Sequence, residues 1–126
     1  MKTKRLILNT LSIGAVAART GLATSAIRHY EDAGLVHPHR TDSGQRRFMR
    51  ADVRRLSLVL IAQRLGFTLA EIRAELDTLP RDRAPSRADW AAMSTRFRHR
   101  LDARITRLQD LRDRLVDAAR AAGATV

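Results

Sequence analysis

Two clusters of basic side chains carry the chemistry this sequence can offer. Arg28, His29 and Tyr30 are consecutive; a guanidinium there can bond base edges in a major groove, and a phenolic hydroxyl can bond a phosphate. Arg46 and Arg47 follow Gly44 in a turn-forming stretch, where forked guanidinium groups suit phosphates or a narrow minor groove. Each cluster has a plainer reading. Arg28 could be a solvated arginine beside a tyrosine packed on a small core, and Arg46 and Arg47 the solvated residues of an ordinary turn. Arg54 and Arg55 could reach a phosphate backbone or equally form a solvated helix face.

The other reactive side chains do not converge. His37 and His39 would project to one side of a strand, but two imidazoles without a third ligand make a poor metal site. Asp110 and Asp113 alternate with Arg107, Arg112 and Arg114, as in helix-surface ion pairs of little individual worth. No Gly-rich phosphate loop, activated serine or His–carboxylate constellation stands out, so no enzyme, metal site or cofactor is expected. The sequence has no cysteine, which excludes disulfides, thiolate zinc sites and cysteine-held iron–sulfur clusters.

The elements that must position the basic clusters can be read from caps, stops and periodicity. Ser12 can cap a helix that Gly21 ends, and Thr24 or Ser25 can cap a second helix through Ile27 and Tyr30, ending at Gly34. Two short helices joined by a Gly-bearing turn form a helix-turn-helix pattern. Pro38 and the Asp42-Ser43-Gly44 turn then exclude a helix and predict a small hairpin, or wing, with Arg46 and Arg47 at its tip. Asp52 can cap a third helix with Val53, Leu56, Leu60, Ile61 and Leu65 on one face, stopped by Gly66. Thr68 with Glu71 forms a capping box opening a fourth helix through Ile72, Leu76 and Leu79.

A charged, Pro-bounded stretch at 80–85 precedes a second capping box, Ser86 with Asp89. From there Trp90, Met93, Phe97, Leu101, Ile105, Leu108, Leu111 and Leu115 recur every three or four residues in a narrow apolar stripe. A helix of roughly 35 residues is about 50 Å long at 1.5 Å per residue, more than so small a domain can cover. Part of the stripe therefore needs another chain. The predicted organisation is a basic N-terminal tail (1–10), a winged helix-turn-helix domain (11–79), a linker (80–85), a coiled-coil helix (86–121) and a short tail (122–126).

Composition agrees with a polyanionic partner. The 126 residues include 24 Lys and Arg against 13 Asp and Glu, a formal charge of +11, with 44% hydrophobic residues and only 4% aromatic ones. The apolar share supports a folded core, while the scarcity of rings argues against a base-stacking single-strand reader. Residues 1–66 carry 12 basic and 4 acidic side chains and residues 67–126 carry 12 and 9, so the polyanion-facing surface is expected in the first half. The run Leu6-Ile7-Leu8 is too short for a signal-peptide core, and no stretch approaches the ~20 apolar residues of a membrane span. A cytoplasmic protein without membrane contact is expected.

The segments Leu11-Ser12-Ile13-Gly14, Ala18-Arg19-Thr20-Gly21, Ala26-Ile27-Arg28-His29-Tyr30-Glu31-Asp32-Ala33-Gly34-Leu35 and Gly44-Gln45-Arg46-Arg47-Phe48 resemble the MerR family of transcription regulators. The likeness extends through Ile61-Ala62-Gln63-Arg64-Leu65-Gly66, Trp90, Asp102-Ala103-Arg104-Ile105 and Leu111-Arg112-Asp113 to about residue 117, and is nearest to the redox-sensing SoxR branch. Ala118, Ala121 and Gly123 fall where that branch would place cluster cysteines, so its sensing chemistry is not carried over.

The resemblance implies a mainly α fold, a winged helix-turn-helix DNA-binding domain followed by a long dimerisation helix pairing as an antiparallel coiled coil. It implies a homodimer that bends and untwists double-stranded promoter DNA so that RNA polymerase can engage it. The expected DNA-contacting set is Ser12, Thr24, Ser25, Arg28, His29, Tyr30, Arg46 and Arg47, and the pairing set is Phe97, Leu101, Ile105, Leu108, Leu111 and Leu115. Trp90, beside the linker and a partner's C-terminal tail, marks the one candidate effector pocket; the effector itself is unknown. The alternatives are a constitutive DNA-binding repressor without an effector, and an interaction protein whose long helix pairs with a different subunit.

Overall fold

A computed structural model describes residues 9–81 and 83–125. The expected N-terminal basic tail lies outside the described residues except for Asn9 and Thr10.

Ser12 starts the first helix, α1 (Ile13–Thr20), by accepting the Ala15 N–H at 3.1 Å through its hydroxyl. Gly21 ends it in the left-handed region at φ 74°, where a side chain would be strained. The second helix, α2 (Thr24–Asp32), begins one position earlier than a Thr24 or Ser25 cap would require. Its N-cap is Ala23, and no side chain caps it; Thr24 already lies inside the helix. Ile27 and Tyr30, three apart, fall on its buried face.

The wing is larger than a hairpin. Strands β2 (His39–Arg40) and β3 (Arg46–Phe48) pair antiparallel with His39 opposite Arg47, as expected of a wing, but β1 (Leu11–Ser12) adds to the other edge of β3 with Leu11 opposite Phe48. A two-residue strand has no alternation to read, so β1 left no signal in the sequence. It ties the wing directly to the start of α1.

The third helix, α3 (Arg50–Arg64), starts two residues before Asp52, which corrects the predicted cap. Asp52 acts from the third helical position, its Oδ2 accepting the Met49 N–H at 2.8 Å. The buried face also differs from the predicted one: Leu56, Val59 and Ala62 face the core, whereas Ile61 and Leu65 remain exposed. Apolar residues lie nearly all round this helix, and the neighbouring elements decided which of them faced inward.

The fourth helix, α4 (Leu69–Leu76), has the predicted capping box, with Glu71 N–H donating to the Thr68 hydroxyl and Thr68 N–H to the Glu71 carboxylate. It stops at Leu76; Leu79 is buried beyond the helix end. The last helix, α5 (Arg87–Ala121), runs 35 residues from the predicted Ser86–Asp89 box.

Only the first turns of α5 belong to the protomer core. Met93 and Phe97 are buried, with the Phe97 ring edge-on to Phe67 at 5.1 Å. Glu71 and Glu75 on α4 hold a ladder of arginines on α5: Arg104 donates to both Glu71 oxygens at 2.7 and 2.8 Å, and Arg96 and Arg100 reach Glu75 at 2.7 and 3.1 Å. Arg104 also lies 4.1 Å over the Phe67 ring. These contacts fix where α5 leaves the domain.

Candidate nucleic-acid interface

Burial of Ile27 and Tyr30 turns the opposite side of α2 outward, and Ser25, Arg28 and His29 are exposed there with Thr24 half-buried beside them. Ser12 is exposed at the head of α1, where its hydroxyl is engaged as a cap. The sequence placed Tyr30 among the phosphate-contacting residues. In the structure it is 9% exposed, and its hydroxyl donates to Gln63 Oε1 at 2.7 Å. A phenol has one proton to give, so the hydroxyl here joins α2 to α3 and cannot also donate to a phosphate.

The two wing arginines have internal partners as well. Arg46 Nε donates to Glu31 Oε1 at 2.6 Å, while Arg47 donates to the Thr10 hydroxyl at 3.0 Å and to the Thr10 carbonyl at 2.8 Å. Neither lies at the tip, which is the turn closed by Gly44 N–H on the Thr41 carbonyl at 2.8 Å. Both are only half-buried, so each retains an outward edge. Glu31 also approaches Arg40 at 3.6 Å, and Arg40 is half exposed on the wing. The sequence reading missed Glu31, Gln63 and Thr10 as positioning residues, since each acts across a distance in the chain that no local pattern encodes. Arg40 was legible as a basic residue beginning the hairpin.

Outward-facing cations extend past these clusters to Arg50, Arg54 and Arg64 on α3. The surface formed by α2, the wing and α3 therefore presents positive charge around a helix whose apolar side is locked. Such a surface can bind a polyanion and hold Arg28 and His29 toward it in one orientation.

The pairing stripe divides in two. Phe97 is packed in the protomer's own core against Phe67, and Leu101 is half-buried against that core, which corrects the reading of Phe97 as a pairing residue. Phe67, placed just after the Gly66 turn, fills the space in front of α5 and takes up that ring. Ile105, Leu108, Leu111 and Leu115 are 46%, 65%, 48% and 72% exposed, a continuous uncovered apolar stripe. Trp90 is half-buried against the core with its indole N–H enclosed and without a hydrogen-bond partner, and it does not line the hollow beside residues 80–85. Among the described residues no cluster of three His, Cys, Asp or Glu side chains could hold a metal ion, and no helix is long and apolar enough to cross a membrane.

A winged helix-turn-helix module that carries a long helix with an uncovered distal stripe defines a class of DNA-binding regulator. Comparison with known proteins specifies the class further. The family description "MerR HTH family regulatory protein" matches residues 11–79, and "MerR, DNA binding" matches residues 53–118. The chain belongs to the MerR family. It is 42% identical over 107 residues to an HTH-type transcriptional activator SoxR homolog of Chromobacterium violaceum, covering 85% of this chain and 72% of that one. It is 33% identical over 102 residues to the HTH-type transcriptional regulator HmrR of Rhizobium leguminosarum bv. viciae, covering 81% and 78%.

Among solved structures, a MerR family regulator from Listeria monocytogenes superposes with TM-score 0.58 at 27% identity, over 86% of this chain and 82% of that one. HiNmlR, a MerR family regulator lacking the sensor domain and bound to promoter DNA, shares the fold at TM-score 0.53 and 24% identity, over 91% and 96%. These relatives are regulators, not enzymes.

Proposed function

We propose that this chain is a homodimeric, sequence-specific regulator that grips promoter DNA with two winged helix-turn-helix modules and bends and untwists the duplex for RNA polymerase. The observation that carries the reading is the outward pair Arg28 and His29 on α2, above the buried Ile27 and Tyr30 and beside the basic wing. The reading assigns base contacts to Arg28, His29, Ser25 and Thr24, and phosphate contacts to the outer edges of Arg46 and Arg47 and to Ser12. Tyr30 serves as the anchor of α2.

The uncovered stripe supports the dimer. Burying the still exposed half to two-thirds of these four apolar side chains is worth roughly 1–2 kcal/mol each, and an antiparallel copy of α5 would cover them. Two-fold pairing then sets two equal half-sites, separated by about one helical turn or a multiple of it. Such a regulator works in the cytoplasm, where the promoter is. None of these 126 residues is a cysteine that could hold an iron–sulfur cluster, and the reading assigns no effector. The winged helix-turn-helix domain (11–79), the linker (80–85) and the rod (86–121) act as reader, hinge and spacer.

Selection of bound genomic fragments by the purified chain tests the reading. Recovered fragments should share an inverted repeat and lie in promoters; fragments without two-fold symmetry would overturn it.

A further inference from the structure

Two kinds of contact hold the rod α5 where it leaves the reader. Trp90, Met93, Phe97 and Leu101 pack against the core; burial of this kind has no preferred direction, so on its own it leaves α5 able to swivel over α4. The second contact is directional. Glu75 on α4 is 4% exposed, and each of its oxygens is taken: Oε2 by Arg96 Nε at 2.7 Å and Oε1 by Arg100 NH2 at 3.1 Å. One turn earlier on α4, both Glu71 oxygens accept from Arg104 NH2.

These bonds form one network. Arg100 NH1 also lies 3.9 Å from Glu71, so one guanidinium spans both carboxylates. Arg96 NH2 donates to the Thr78 hydroxyl at 2.6 Å, which donates in turn to the Glu75 carbonyl at 2.6 Å. The three arginines recur every fourth residue and cover about 12 Å of the rod. Points fixed along such a length define an axis, whereas a single pair would leave a pivot. Turning α5 away would strip a buried carboxylate of its partners, which costs far more than losing a surface pair. The linker lets the chain turn, and the ladder decides at what angle it stops. Beyond Arg104, the ion pair of Arg112 with Asp113 lies within the rod itself.

The angle at this joint sets where each reader stands relative to the dimer axis. Half-sites one helical turn apart place each reader about 17 Å from that axis. A swing of about 10° over such an arm moves the reader about 3 Å, close to the ~3.4 Å rise of one base pair. We propose that the ladder on Glu71 and Glu75 is the spacing determinant of the dimer: α2 selects the bases of each half-site, and the ladder selects the separation at which two half-sites are accepted. Glu75 and Arg100 are then positioning residues, acting through the rod and not through contact with DNA. The proposal rests on the homodimer reading above.

The test measures the affinity of the full-length chain for the operator recovered by genomic selection, for the same half-sites with the spacer lengthened or shortened by one and two base pairs, and for a lone half-site. The wild type should lose roughly tenfold or more on each altered spacer. Two variants should shrink that penalty to about threefold or less. Arg100→Gln alters a side chain that is 42% exposed, so the core is not at risk, and Glu75→Gln keeps the shape of the buried group. Affinity of both variants for the lone half-site should stay within about twofold of wild type, and sedimentation should still show dimers. Arg100→Lys, which keeps the charge, should restore part of the penalty. An unchanged spacer penalty in both variants, including a uniform loss on every duplex, would overturn the proposal, as would a wild type indifferent to spacing. A wild type that is monomeric or binds no duplex removes the regulator reading, and this proposal with it. A dimer that reads its operator but ignores the ladder variants removes this proposal alone.

Discussion

Tyr30 and Gln63 are 33 positions apart in sequence and meet through a 2.7 Å hydrogen bond, the phenol donating to the amide oxygen. The bond lies beneath the exposed Arg28 and His29 and joins the outward-facing helix α2 to α3. The orientation of α2 thus depends on a helix that supplies none of the expected base contacts. Tyr30→Phe is expected to lower unfolding free energy by about 0.5–1.5 kcal/mol in a denaturant titration, the usual worth of one such bond. It should weaken operator and scrambled duplexes together, by loosening α2. A selective loss on the operator alone would assign the tyrosine to readout.

Arg28 is exposed on α2 and makes no ion pair among the described residues. Arg28→Ala should cost about 1–3 kcal/mol of discrimination between matched and scrambled sites while leaving non-specific binding nearly unchanged. Anisotropy titrations with both duplexes measure this. Arg47→Glu should weaken both duplexes alike and flatten the salt dependence by ~0.9 per lost phosphate contact. Because Arg47 also holds Thr10, a small loss in melting temperature should accompany it.

Leu108 is 65% exposed in the middle of the free stripe. Leu108→Glu should produce monomers by sedimentation, with the helix-turn-helix core still folded. Phe97→Ala should behave differently: removing a buried ring costs roughly 3–5 kcal/mol of protomer stability. If the two substitutions had the same effect, the division of the stripe at Leu101 would be wrong.

Asp89 is held at about 2, first by the Arg83 hydrogen bond and then by the Ser86 N–H, against an ordinary 3.8. A carboxylate with a lowered folded pKa adds stability that is complete above about 3.8 and is lost as pH falls through about 2. The start of α5 should therefore fray in that window, seen as a loss of far-ultraviolet helicity. Asp89→Asn should remove this acid-dependent step. Asp52 acts with the opposite sign, since burial raises its pKa and acidification relieves the penalty.

Much of the fold was legible because its signals are local. The boxes Thr68–Glu71 and Ser86–Asp89, the Ser12 cap and the glycine stops each satisfy helix-end groups within a few residues. The 35-residue rod followed from spacing alone. Boundaries failed where a cap was displaced, as at Ala23 and Met49, since Thr24 and Asp52 offered oxygens at plausible but different positions. Among the candidate site residues, the sequence identified the basic types but not their partners.

By itself, then, the sequence determined the helices, their order, the surplus of positive charge and the presence of an unpaired apolar rod. The tertiary structure decided that Arg46 meets Glu31, that Tyr30 meets Gln63, that Phe97 turns inward to Phe67, and that Glu75 gathers Arg96 and Arg100 from the rod. The reason is physical. Periodicity and capping depend on neighbours along the chain, whereas burial and ion pairing depend on which distant surfaces are excluded from water together.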